Sequence, residues 1–358
     1  MTDNIRKTCR KNFSDAALKP KFYAIIPAEG VFMKTAQVEN GIFVVKEREN
    51  EALNNRKGAL VKVLGCGLCG SDIVKLSHNL AKNGTVLGHE IVAQIIEINS
   101  DTNFCRGDII VTSHHISCGK CEYCKNGNVS MCRHFKETNL KPGGFSKYVY
   151  VSEEHLQNVA YLKPENLSND EAAFYEPLAC CIRAIRRAML NEKSTVLVVG
   201  LGSIGILMAQ GLRAFGMNVI GCDLISSRVN LLKNLGIEAF CVNELCESIK
   251  ADAVFMTSGS DKAIDTALKY VRDGGKIVVF SSTPQNFGYA NNEIYYRELT
   301  VLGSYSPAKE DLKTSLDLLK NNDVKVKGLS EFYPLEKIQK AVDDTVANKV
   351  LKAYIEIA

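Results

Sequence analysis

The feature that most constrains this chain lies in its C-terminal half. From Thr195 onward, short apolar runs at 195–200, 218–223, 253–257, 276–281 and 299–303 are mostly separated by stretches with helical apolar spacing. Strands that alternate with helices in this way form a parallel sheet, because each return to a parallel neighbour needs a crossover, and the crossover helices cover both faces. The expected fold class is therefore α/β, with a doubly wound parallel sheet. The first of these strands runs directly into Gly200-Leu201-Gly202-Ser203-Ile204-Gly205, a G-x-G-x-x-G turn that opens an apolar helix at 204–215.

In such a turn Gly200 permits the tight bend, Gly202 lets the backbone approach a pyrophosphate, and Gly205 allows the helix to pack closely on the strand. The free N–H groups around Ser203 and Ile204, together with the helix dipole, would hold the phosphate. Asp223 ends the second strand, 23 residues after Gly200. An acid at that distance suits the adenosine ribose diol and repels a 2′-phosphate, so NAD is expected over NADP. Arg228 is a competing feature, since an arginine near that acid can accept the phosphate. The bland alternative is a structural glycine turn without a ligand.

The N-terminal half reads differently. Residues 1–32 carry six Lys or Arg, two Asp and one Glu with little periodicity, and are expected to be a flexible extension. Met33 opens an alternating run that is expected to turn at Asn40-Gly41 as a β-hairpin. Residues 33–160 hold short β-branched runs punctuated by glycine, the mark of a small β-rich domain. Helical spacing appears at 170–190, 309–320 and 335–347. The end of the chain, 352–357, alternates as a strand and is expected to return to the first domain.

Composition sharpens the argument at one point, the thirteen cysteines. A disulfide scaffold belongs to short secreted chains, and residues 1–21 lack the apolar core of a signal peptide. The expected compartment is reducing and cytoplasmic, with most cysteines as thiols. No run approaches the ~20 apolar residues of a membrane span. A net charge of +4 is too small and dispersed to argue for nucleic acid.

Four of the cysteines form C-x2-C-x2-C-x7-C: Cys118, Cys121, Cys124 and Cys132. Four thiolates on a short glycine-containing loop suit a closed tetrahedral zinc site of structural type. The first three spacings also open some iron–sulfur motifs, although those continue x3-C-P, and free thiols are the remaining alternative.

Three further features could converge on an open metal site. They are Cys69-Gly70-Ser71-Asp72 after a strand, Gly88-His89-Glu90 before an apolar run, and Glu176-Pro177-Leu178 in a helical stretch. Cysteine, histidine and carboxylate are all zinc ligands, and a zinc that does chemistry keeps one position open.

With these motifs in this order, and with Gly143-Gly144-Phe145-Ser146-Lys147-Tyr148 between them, the chain from Met33 to its end resembles the zinc-containing medium-chain alcohol and polyol dehydrogenases. The resemblance implies a GroES-like β-rich catalytic domain over 33–176 and 304–358, and a Rossmann domain over 177–303. It implies two zinc ions per chain and NAD. Cys69, His89 and Glu176 would take the catalytic-zinc positions, with Glu90 a direct or alternating ligand or a neighbour of the ligands. Ser71 would receive the proton of the substrate alcohol. Many relatives place a histidine five residues after the ligand cysteine to carry that proton onward; this chain has Val74, and His78 reads as a surface residue. Glu176 in place of a cysteine resembles the sorbitol- and threonine-dehydrogenase-like members. The expected substrate is a small polyol, sugar alcohol or cyclitol, with an amino alcohol such as L-threonine as the alternative. A catalytically silent NAD- or redox-sensing protein is an alternative of another class. The resemblance also implies a homo-oligomer, dimer or tetramer. Of the remaining cysteines, Cys66, Cys105, Cys180, Cys181, Cys222, Cys241 and Cys246 are expected to be buried thiols, and Cys9 lies in the extension.

Overall fold

A computed structural model describes residues 32–282 and 288–357. The expected flexible extension lies outside them, apart from Phe32. That residue begins β1 (Phe32–Glu39), which pairs antiparallel with β2 (Ile42–Glu49) across the expected Asn40-Gly41 turn.

The next strands are β3 (Gly58–Gly67), β4 (Glu90–Asn99), β5 (Ile109–Thr112), β6 (Tyr148–Ser152) and β7 (Ala160–Leu162). They join two strands from the end of the chain, β14 (Ser330–Pro334) and β15 (Lys352–Glu356), in a mixed sheet of order β14-β15-β3-β4-β5-β7, with β6 also on β3. The chain end therefore does return to the first unit, as β15 antiparallel to β3. Its alternation is misleading, however. Lys352 to Ile355 are all buried, because the strand lies between two neighbours and Lys352 has a buried acid to pair with.

The strands between form the parallel sheet: β8 (Thr195–Val199), β9 (Asn218–Asp223), β10 (Glu238–Cys241), β11 (Ala251–Met256), β12 (Val271–Val279) and β13 (Thr300–Gly303). Their order is β10-β9-β8-β11-β12-β13, with every pairing parallel. Counted from β8 this is 3-2-1-4-5-6, the doubly wound dinucleotide-binding order, and its direction reverses between β8 and β11.

One long helix, Tyr175–Ala188, joins the two units. The sequence reads as a single helical stretch over 170–190, but the structure breaks it at Phe174 into Asn169–Ala173 and Tyr175–Ala188. Pro177 is the physical reason. It has no N–H to return to Ala173, so it is tolerated only in the first turn of a new helix. Leu178, Ile182 and Ile185 are almost wholly buried, in a cluster that runs from Val92 and Val111 of the mixed sheet to Val196, Val198 and Phe255 of the parallel one. Each such side chain contributes about 1.5–3 kcal/mol on burial. The helix is thus held by both units and fixes their relative position.

Candidate metal centres and nucleotide site

The C-terminal end of β3, the start of β4 and the start of β15 meet at one end of the mixed sheet. Register places Gly67 opposite Glu90 and also opposite Tyr354. Cys69 follows β3 as the N-cap of the helix Gly70–Ser77, and His89 immediately precedes β4. The ligand atoms of Cys69, His89 and Glu90 all lie within 4.8 Å of one another. Glu90 fits there because residue 67 is glycine: a Cβ at Gly67 would sit 1.9 Å from Glu90 Oε2.

Three features show that this cluster suits a cation. Glu90 Oε1 is buried with no polar partner. Glu90 Oε2 lies 2.5 Å from Lys352 Nζ, an ion pair with both side chains buried. Asp72 is completely buried, and its Oδ1, which has no hydrogen-bond partner, lies 3.6 Å from His89 Nδ1, close enough for its charge to act on the ring. Burial alone would push the His89 pKa down, but Asp72, Cys69 and Glu176 outweigh it and hold it well above the usual value. Burial also opposes the charge on Lys352, and Glu90 and Cys69 reverse that effect.

Glu176 does not join the three-residue cluster. It is buried in the first turn of its helix, and its Oε1 accepts a hydrogen bond from the thiol of Cys180, one turn further on, at 3.6 Å. It is close enough for His89 and Glu90 to act on it, and burial raises its pKa. Ser71 is half-exposed in the first turn after Cys69. Val74 lies in the same helix, while His78 is exposed at its end with Ser77 Oγ 2.8 Å from its Nδ1. Two further groups at this end escape the sequence reading. Asp72 sits inside a quoted motif but carries no separate signal. Lys352 looks from alternation like one side of an ordinary strand.

The four-cysteine lobe is a contrasting site. Cys118, Cys121, Cys124 and Cys132 have their sulfurs within 4.8 Å of one another. Cys121 and Cys124 are 3.5 Å apart, and Cys118 and Cys124 3.9 Å. Four thiolates at about 2.3 Å from one tetrahedral ion stand about 3.8 Å apart, so the lobe fits a single zinc and leaves no room for a multi-iron cluster. Backbone N–H groups of Lys120 and Cys121 lower the Cys118 pKa. Those of Cys118 and Phe135 outweigh burial at Cys132 and bring it to about 6. The lobe is tied to the connecting helix by Arg183 Nη2 to Gly127 O at 2.8 Å and Arg187 Nη1 to Asn128 Oδ1 at 3.2 Å.

The glycine turn lies where the order of the parallel sheet reverses. A Cβ on Gly205 would sit 1.9 Å from the carbonyl oxygen of Gly200, whereas one on Gly202 would meet nothing within 4 Å. Contact forbids a side chain at Gly205, and open space at Gly202 is where a pyrophosphate would approach. Ser203 and Ile204 are the first residues of the helix Ser203–Ala214. Thr257, just after β11, donates to Gly200 O at 2.6 Å and closes the turn. Asp223 is 7% exposed and accepts the N–H of Leu201 at 2.5 Å and of Ile225 at 2.8 Å. Arg228 Nη1 is 3.7 Å from the same carboxylate, but its Nη2 donates to Asn348 Oδ1 at 2.7 Å. The arginine is thus shared between Asp223 and the far end of the chain.

The bystander cysteines divide. Cys66, Cys181 and Cys222 are buried thiols, Cys180 and Cys241 are half-buried, and Cys246 is exposed beside Ser248. Cys105 is half-buried and is not a free thiol, contrary to expectation. Cys9 lies outside the described residues. A surface depression of about 610 Å³ on the parallel-sheet unit is lined by Lys250, Asp265, Lys269, Arg272, Asp273 and Arg297. Its arginines are held in ion pairs with Asp252 and Asp273 at 2.7 Å, and neither metal cluster nor the glycine turn borders it. No helix of the described residues is long and apolar enough to cross a membrane.

Comparison with known proteins agrees with this geometry. Residues 55–161 match the alcohol dehydrogenase GroES-like domain, and residues 203–321 the zinc-binding dehydrogenase domain. A sorbitol dehydrogenase of Halalkalibacterium halodurans is 30% identical over 335 residues, covering 88% of this chain and 96% of that protein. A D-arabitol-phosphate dehydrogenase of Enterococcus avium is 30% identical over 317 residues, covering 83% and 89%. Among solved structures, L-idonate 5-dehydrogenase of Escherichia coli superposes with a TM-score of 0.78 at 21% identity, over 91% of this chain and 98% of the other. An acetophenone reductase of Geotrichum candidum, solved with NAD, gives 0.79 at 21%, over 91% and 98%. At that identity the structural matches speak for the fold. Together with the sequence matches they establish that this chain belongs to the zinc-containing medium-chain alcohol and polyol dehydrogenase family.

Proposed function

We propose that this chain oxidises a secondary hydroxyl of a small polyol with NAD, and that it carries two zinc ions, one at each cluster. The observation that carries this reading is the cluster of Cys69, His89 and Glu90. Three donors with an orphaned carboxylate oxygen leave a metal one position for a ligand, and Ser71 stands half-exposed beside them. When bound, zinc would lower the pKa of the substrate hydroxyl and the nicotinamide would accept the hydride.

The protein's own residues divide the remaining work. The charge of Asp72 acts on the ring of His89, Lys352 neutralises Glu90, and Ser71 receives the hydroxyl proton as the carbinol becomes a ketone. Val74 offers no group to carry that proton onward. Glu176, held by Cys180, stays beside the cluster as a carboxylate able to approach it. Gly200, Gly202 and Gly205 with the N–H groups of Ser203 and Ile204 would hold the pyrophosphate, and Asp223, which accepts the N–H groups of Leu201 and Ile225, would face the ribose diol. The Arg228–Asn348 bond draws the arginine from the position a 2′-phosphate would need, which supports NAD over NADP.

The two sheets support assigning 33–176 and 304–358 to the catalytic unit and 177–303 to the nucleotide-binding one. Homo-oligomeric assembly is supported by the sheet-edge strand β13, where Val301 is exposed, and by the exposed Tyr295 and Tyr296 of the preceding helix Asn291–Tyr296 and Tyr305 just after the strand. The exposed free thiol of Cys246 favours a reducing, cytoplasmic setting. The test is a screen of polyols, cyclitols and amino alcohols with NAD, following NADH absorbance, alongside the zinc content of the purified protein. Turnover of polyols with two zinc ions per chain is expected. Turnover confined to amino alcohols, or none at all, overturns the reading.

A further inference from the structure

His114 follows β5 by two residues and packs its ring against that of His89, with centroids 4.6 Å apart. It differs from the other five histidines. His89 has Asp72 beside it, His115 Nδ1 lies 2.6 Å from Thr138 O, and His155 holds Ser152 Oγ and His114 O through its two nitrogens. His134 pairs with Glu154, and His78 with Ser77. At His114, Nδ1 is buried without a hydrogen-bond partner, while the residue as a whole is only partly buried.

A buried polar atom without a partner opposes folding, so the arrangement calls for a reason beyond packing. The ring is nonetheless firmly placed. His89 lies on one side, His115 on the other with centroids 3.9 Å apart, and His155 Nε2 lies 3.1 Å from its backbone carbonyl. A neutral imidazole has one donor and one acceptor nitrogen. The tautomer that leaves only an acceptor unpaired in the interior puts the proton on Nε2, which is not among the buried atoms without a partner.

We propose that His114 determines specificity by donating a hydrogen bond from Nε2 to the hydroxyl on the carbon next to the reacting carbinol. This rests on the polyol reading above. A sugar alcohol or other vicinal polyol offers that second hydroxyl, and a simple secondary alcohol does not. A site built to bond a hydroxyl discriminates against the analogue that lacks it, because its own polar group is then left unpaired.

The smallest pair of substrates that differ by that one group is butane-2,3-diol and butan-2-ol. The readout is kcat/KM for each with NAD, in the zinc-loaded wild type and in the His114→Phe and His114→Gln variants. Phenylalanine keeps a ring against His89 and His115, and glutamine restores an N–H donor. The wild type is expected to favour the diol about tenfold or more. His114→Phe should lose most of that ratio, through the diol rather than the monoalcohol, and His114→Gln should recover part of it. A wild type with no preference, a preference retained in His114→Phe, or equal loss on both substrates overturns the proposal while leaving the dehydrogenase reading intact. A zinc-loaded wild type that forms no NADH from any secondary alcohol overturns that reading, and this inference with it.

Discussion

The two candidate metal clusters sit in one chain and follow opposite plans. The lobe takes all four ligands from Cys118 to Cys132, alike in chemistry, on a short loop at the surface. The other cluster takes Cys69, His89 and Glu90 from two strand ends. It then depends on Asp72 and on Lys352 from the far end of the chain, all at a buried sheet terminus. Four equivalent thiolates saturate a tetrahedral ion, leaving nothing to react. Three unlike donors, one with an orphaned oxygen, leave a position open and place charge where a substrate can use it. The difference teaches that closure can be built locally, whereas openness needs a scaffold that holds unmatched charges in place.

The sharpest way to break this comparison is Cys69→Ser. Turnover should fall about a thousandfold or more, since a Lewis acid supplies several kcal/mol. Zinc content should fall by one ion, with NAD binding by fluorescence titration unchanged. Full activity would show that the open cluster is not the reacting one.

Next in size is Lys352→Met, which leaves Glu90 buried without its cation. Breaking such a pair typically costs about 3–5 kcal/mol. Denaturant unfolding should show that loss in the zinc-free protein and a smaller one in the zinc-loaded protein, where the metal meets the carboxylate. Equal losses in both states would detach Glu90 from the metal.

Cys124→Ser should act on stability rather than on chemistry. Loss of the lobe ion is expected to lower Tm by about 5–10 °C, with kcat of the folded protein nearly unchanged. Because Arg183 and Arg187 tie the lobe to the helix that carries Glu176, a large fall in kcat would show that the lobe also sets that helix.

The smallest effect is expected from Asp223→Ala. It should weaken NAD about tenfold and NADP less, as judged from the two KM values. Equal effects on both would remove the ribose-diol role.

Much of this was legible in the sequence because it is local. The glycine turn, the alternating strands and helices, and C-x2-C-x2-C-x7-C each fall within one supersecondary unit, so their spacing and their geometry are nearly the same thing. The break at Phe174 was legible in principle from Pro177. What escaped depends on contacts between distant segments. The alternation at the chain end hides a wholly buried strand, because β15 lies between β14 and β3. Lys352 is internal only because β3, β4 and β15 end together. The fate of Cys105 likewise had no local signal.

The fold class, the dinucleotide turn with Asp223, the four-thiol lobe and the residue types of the second candidate cluster were all readable from the sequence. Spacing and residue type carry those, since local backbone geometry and ligand chemistry are properties of short segments. Tertiary contacts bring the ligand atoms of Cys69, His89 and Glu90 within 4.8 Å of one another, leave Glu176 buried beside them, set Lys352 and Asp72 against the cluster, and lay His114 ring to ring with His89. These depend on strand register and on charge buried at a sheet end, where a group's partner is chosen by the fold and not by its neighbours in the chain.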